Sequence, residues 1–174
     1  MKNLSFTLLL CFAYVACSAQ STPFLTELKS RLTNAKRYTL QIMEAMPEAN
    51  YGYKPVADEM DFRAQAIHIA QNLTWLTSSH LTTKPSPLSE ASLKATNQTK
   101  AEVSMMVTQA YDYAIDAVGE FDAAHFDDPV KFFAGPMTKR QIMLLICDHQ
   151  THHRGQLIVY LRLNGLKPPS YVGW

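Results

Sequence analysis

Residues 138–165, TKRQIMLLICDHQTHHRGQLIVYLRLNG, read as one helix with both ends written in. Thr138 and Gln141 have the S/T-x-x-Q spacing of a capping box, in which each side chain covers an unpaired N–H of the first turn. Gly165 sits where the chain must leave with positive φ, and Pro168 and Pro169 stop any continuation. At about 100° per residue, Ile142, Leu145, Ile146, His149, His153, Gln156, Leu157 and Tyr160 fall on one side. His149 and His153 therefore lie one turn apart in the middle of an apolar stripe. Burying two imidazoles together is costly unless they share a partner, and a divalent metal suits an i, i+4 pair best.

Working outward, the N-terminus carries export signals. Lys2 gives a basic start, Leu4 to Val15 is an apolar run too short to span a bilayer, and Cys17-Ser18-Ala19 precedes Gln20. The expectation is a signal peptide over residues 1–19, cut after Ala19, which makes the protein periplasmic or secreted. The alternatives are an uncleaved anchor and a lipid on Cys17, although Tyr14 fits a lipoprotein signal poorly. Residues 20–174 then form one domain with room for a sizeable core. Lys2 leaves with the leader, so the 16 basic residues come into balance with the 15 acidic ones. No basic stripe remains, which argues against nucleic acid as a partner. Cys11 and Cys17 also leave, so Cys147 stands alone and no internal disulfide can form.

Three more helices are expected. The first opens at Ser21-Thr22-Pro23, with proline at its first position, and runs to about Met46. The second is capped by Asp61 and ends near Ser79. A polar connection with one short turn around Ser89 leads to the third, about Thr99 to Glu120, whose core side includes Val103, Met106, Val107, Ala110 and Tyr113. A loop over residues 121–137 precedes the final helix, and no strand is expected. Four long amphipathic helices make an all-α four-helix bundle, and the long connections allow crossovers.

The second helix offers His68, flanked one turn away by Gln65 and Asn72. Three imidazoles from two helices can hold zinc or a similar ion and leave one position open for water. Gln65, Asn72 and Gln156 are suited to orienting those rings. Gln150 stands where a His-Glu-x-x-His protease has its general base, which argues against that class. His152 points about 60° from His149, as a flanking residue. His80 and His125 read as solvated loop residues, and Cys147 points away from the histidines. No general acid or base is specified; Asp61, Tyr53 and Arg154 are the candidates. Met143, Leu144, Ile158 and Leu161 lie off the stripe yet are apolar. They are covered either by neighbouring helices and the tail Tyr171–Trp174 or by a second copy in a homodimer.

The run Asp148-His149-Gln150-Thr151-His152-His153-Arg154-Gly155-Gln156-Leu157, with Tyr160-Leu161-Arg162 and Gly165-Leu166-Lys167-Pro168-Pro169, resembles the closing helix of the DinB-like (YfiT-like) family. The resemblance extends to Tyr53-Lys54-Pro55, Met60 and His68-Ile69-Ala70. It implies a four-helix bundle, often dimeric, with one divalent metal on the positions matching His68, His149 and His153. Zinc leads, with nickel, iron or manganese as alternatives. Some relatives are metal-dependent transferases using thiols such as bacillithiol or mycothiol, and one branch isomerises maleylpyruvate. The export signal sets this chain apart from those cytosolic enzymes. The resulting expectation is a metal-dependent enzyme, hydrolase or S-transferase-like, acting on a small molecule. The competing expectation is a non-catalytic periplasmic binding domain with a structural metal.

Overall fold

In the computed structural model, backbone is described for residues 2–94 and 96–173, and side chains for 23–94 and 96–173. The side chains of the expected leader, its Cys17 and the closing Trp174 lie outside the described residues. Among the described residues five α-helices follow one another: α1 (Lys2–Ala45), α2 (Phe62–His80), α3 (Glu90–Lys94), α4 (Lys100–Gly119) and α5 (Lys139–Leu163). Their starts follow the local chemistry. Asp61 accepts from the Ala64 amide at 2.7 Å at the head of α2. Thr99 with Glu102, and Thr138 with Gln141, form complete capping boxes on α4 and α5. Gly165 takes φ 72° after α5, as its position requires.

Two expectations need correction. Helix α1 is assigned over Lys2–Ala45, so Pro23 lies inside it and not at its first position. The apolar run Leu4–Val15 reaches Pro23 without any glycine or turn sequence to stop a helix. The loop before α5 also contains a short antiparallel ladder, β1 (Pro129–Val130) with β2 (Met137–Thr138). So short a ladder rests on pairing between separated residues, which period-two patterning cannot reveal.

Side-chain bridges fix the helix directions. Lys36 meets Asp112 at 2.6 Å, Thr39 meets Tyr111 at 2.9 Å and Lys100 meets Glu44 at 3.2 Å, so α1 and α4 run antiparallel. The Tyr160 hydroxyl donates to the Met60 carbonyl at 2.8 Å while His153 meets Gln65, so α2 and α5 are antiparallel. By contrast α1 and α5 run the same way, with Arg154 over the Tyr38 ring and Asn50 bonded to Asn164. So do α2 and α4, tied by Arg63 to the Thr96 carbonyl and by Tyr113 to the Lys84 carbonyl. The bundle is thus up-down-down-up, and the connection carrying α3 is its crossover.

The core contains Leu32, Ile42, Leu73, Val107, Ile142 and Leu157, all buried, and each such side chain contributes roughly 1.5–3 kcal/mol. On α4 the fully buried tyrosine is Tyr111, with Tyr113 at the edge, because Tyr111 faces α1. Helix α5 packs against both α1 and α2, so its buried arc is wider than one stripe. It takes in Met143, Cys147, Gln150 and Leu161 as well. This changes the reading of the second apolar face. Met143 and Leu161 are buried within the chain, Ile158 lines a cleft with Tyr171 and Val172, and Leu144 is exposed. The basis for a four-residue contact between copies is therefore gone. No helix among the described residues is long and apolar enough to cross a membrane.

Candidate metal centre

Helix α2 supplies His68 and α5 supplies His149 and His153. Because the two helices are antiparallel and in contact, the rings meet halfway along the seam. Ring centroids are 4.5 Å apart for His68–His153 and His149–His153, and 5.0 Å for His68–His149. One ligand atom from each ring lies within 4.8 Å of the others. Among the described residues, no carboxylate or thiolate joins the three.

The sequence-predicted orienting residues divide. Gln65, buried in α2, does what its position implies: its Oε1 lies 2.5 Å from His153 Nδ1, and its Nε2 donates to Glu59 Oε1 at 3.1 Å. For His68 the partner is Gln71, whose Oε1 lies 3.2 Å from Nδ1, rather than Asn72 or Gln156. Gln71 in turn donates to the Leu93 carbonyl of α3 at 2.9 Å. An amide oxygen can only accept, so Nδ1 of both His68 and His153 carries the proton and Nε2 carries the lone pair. That is the tautomer a metal ligand needs. His149 Nδ1 is buried with no hydrogen-bond partner among the described residues. Such a nitrogen is costly to leave bare, and an ion ligated by it would relieve the cost.

Electrostatics favour the same form. Burial, and then the neighbouring histidines, pull His149 down to about 4 and His153 down to about 3. These imidazoles are neutral at pH 7, as a metal requires. Nitrogens held at ~2.0–2.1 Å from one zinc stand roughly 3.3 Å apart, so closing the set takes only about an ångström of ring movement. The residues present therefore fit a three-histidine ion site.

The remaining candidates fall elsewhere. His152 is exposed, its ring edge-on to His153 at 4.9 Å. His125 is exposed beside Asp128 at 3.0 Å. His80 is not a solvated loop residue. It ends α2, half-buried beside Trp75 and Phe132, with Nε2 buried and unpartnered among the described residues, and burial lowers its pKa. Asp61 is committed to capping α2, and Tyr53 packs edge-on against Tyr160 at 5.9 Å. Arg154 donates to the Thr151 hydroxyl at 3.1 Å on the α1 side. Cys147 is buried and its thiol is pushed up to about 11, so it is no nucleophile. Gln150 is bonded to the buried Tyr111 hydroxyl. Sequence reasoning missed Glu59 and Gln71. Glu59 lies in an irregular loop with no periodicity to mark it, whereas Gln71 stands three residues after His68, a spacing that marks a helical neighbour.

The DinB family model matches residues 20–173. This chain belongs to the DinB family. It is similar to the uncharacterized protein YjoA of Bacillus subtilis (strain 168), 25% identical over 144 residues that cover 80% of this chain and 90% of that one. In fold, this DinB-family chain resembles a DinB-like protein from Bacillus cereus ATCC 10987, with TM-score 0.68 and 18% identity over 80% of this chain and 92% of the other. The crystal structure of YjoA gives TM-score 0.65 at 18% identity, covering 85% and 96% of the two chains. A conserved protein from Enterococcus faecalis gives 0.66 at 15% identity, covering 79% and 95%.

Proposed function

We propose that this DinB-family protein is exported, binds one divalent ion on His68, His149 and His153 and uses it, with an open coordination position, in a metal-dependent reaction on a small molecule. The observation that carries this reading is the pairing of Gln65 with His153 and Gln71 with His68, which presents two Nε2 lone pairs beside a third, unpartnered imidazole. Zinc suits an all-imidazole set, with nickel, iron and manganese as alternatives. When bound, such an ion supplies Lewis-acid chemistry of the kind used in hydrolysis and group transfer. The chain's own residues fix the tautomers and, through Glu59, hold Gln65 in place. Three ligands without a carboxylate or thiolate favour an open position over a closed structural site. The competing reading, a structural staple, draws on the fact that an ion here would tie α2 to α5.

Cobalt-loaded protein distinguishes the two. Titration with azide should change the visible d–d spectrum saturably, because azide enters the open position. A spectrum indifferent to azide would establish a closed shell and leave the staple.

Export belongs to the same proposal. It is supported by Lys2, the run Leu4–Val15 and the small residues ending at Ala19, and by a family match that begins at residue 20. Cleavage after Ala19 would also leave Pro23 in the first turn of α1, where a missing N–H costs nothing. Mass spectrometry of the exported protein should find Gln20 at the N-terminus. An intact Met1 in cytoplasmic protein would refute export, and a lipid on Cys17 would replace secretion with anchoring.

A further inference from the structure

Trp75 follows His68 on α2 by seven residues, two helical turns, which returns it to the same face about 10 Å along the axis. It is 44% exposed, large for a tryptophan on a bundle helix. The loop between β1 and β2 lays two more rings beside it. Phe132 lies 5.7 Å and Phe133 6.4 Å from the Trp75 ring, each tilted by 31°, and the two phenylalanines are 4.5 Å apart. Phe133 is 85% exposed. Three mutually tilted rings at the surface form an apolar patch with an open edge. Between it and the histidines lie Gln71 and Asn72 on α2 and Leu145 on α5, all half-buried. The platform thus continues the face on which His68 is carried, and His80 closes its far side at 6.3 Å from both Trp75 and Phe132.

We propose that Trp75, Phe132 and Phe133 form the apolar subsite for the substrate of the three-histidine centre. The ligand class is an elongated small molecule with a metal-binding head and an aromatic or similarly flat apolar group about 10 Å away along α2. The inference rests on the open-position reading above. Its occupant follows from two features: the patch shares a face of α2 with the ion site, and it leaves aromatic surface of Trp75 and Phe133 open to pack against one more apolar ring.

The test uses zinc-loaded protein and three hydroxamates as probes: acetohydroxamate for the head, hexanohydroxamate for head and chain, and 6-phenylhexanohydroxamate to reach the platform. Terminal addition of the ring should tighten binding about tenfold or more, the gain expected for burying an aromatic group. Trp75→Ala and Phe133→Ser should each reduce that ring-dependent gain to within about twofold of none, with zinc content and acetohydroxamate affinity unchanged. Phe133 is so exposed that its replacement leaves the fold intact, so the test survives any loss of folding in Trp75→Ala. Equal affinity with and without the ring, or a gain that persists in Phe133→Ser, would overturn the subsite and leave the metal centre standing. Failure of all three hydroxamates to bind zinc-loaded protein would overturn the open position, and the subsite with it.

Discussion

Replacing Gln65 by Met tests whether the site depends on an oriented imidazole or only on three nearby histidines. Methionine fills much the same volume in α2, where Gln65 is 1% exposed, so the core stays packed. What is lost is the acceptor 2.5 Å from His153 Nδ1 and the donor 3.1 Å from Glu59 Oε1. Without the acceptor, His153 is free to rotate and to place its proton on Nε2, the nitrogen required by the ion. Loss of such an outer partner costs typically 10–100-fold in metal affinity, or about 1.4–2.7 kcal/mol. The metal-free fold should also weaken by about 1–3 kcal/mol, since a buried ring nitrogen is left unpaired. Zinc affinity is measured by competition with a chromophoric chelator, and metal-free stability by urea titration. Zinc affinity within twofold of wild type, alongside the expected loss of metal-free stability, would refute the orienting role and reduce Gln65 to a packing residue.

Acid should destabilise the metal-free protein in a defined window. His149 and His153 are held at about 4 and about 3, against 6.5 when unfolded. Between those values the unfolded chain binds more protons than the native one, so stability falls as pH drops from 6.5 towards 4. Urea midpoints at pH 7 and pH 5 check this, and His149→Ala should flatten the slope. Asp61→Ala removes the acceptor 2.7 Å from the Ala64 amide and should cost about 0.5–2 kcal/mol by urea titration, with loosened zinc binding because α2 carries His68. Protein beginning at Gln20 should show the same urea midpoint as the full chain, since the first buried side chain among the described residues of α1 is Leu28.

How far the sequence could be read depended on the range of the interaction. The caps at Asp61, Thr99 and Thr138 are local, set by side chains reaching amides three residues away, and they stand where their spacing places them. The three histidines were legible for a related reason: i, i+4 spacing puts His149 and His153 on one face regardless of tertiary structure. What period alone could not show was that α5 has two packing partners. The sequence therefore left open whether Met143 and Leu161 were covered within the chain or by a second copy, and both are buried within the chain. Gln150, read only for the base it is not, turns out to bond the Tyr111 hydroxyl, a contact between residues 39 positions apart. The platform was hidden for the same reason, because Phe132 and Phe133 sit in a loop whose path brings them to Trp75. His80 was misread with it, since its surroundings come from that loop.

The central claim is that His68, His149 and His153 together hold one ion. Its most direct measurement is zinc content by elemental mass spectrometry, on protein purified without chelator or immobilised metal, compared across the wild type and single alanine replacements of all six histidines. The expected result is one zinc or equivalent ion per chain in the wild type and in His80→Ala, His125→Ala and His152→Ala, with stoichiometric metal lost from His68→Ala, His149→Ala and His153→Ala. Full occupancy in His149→Ala, or a folded wild type that takes up no divalent ion when it is supplied, would contradict it.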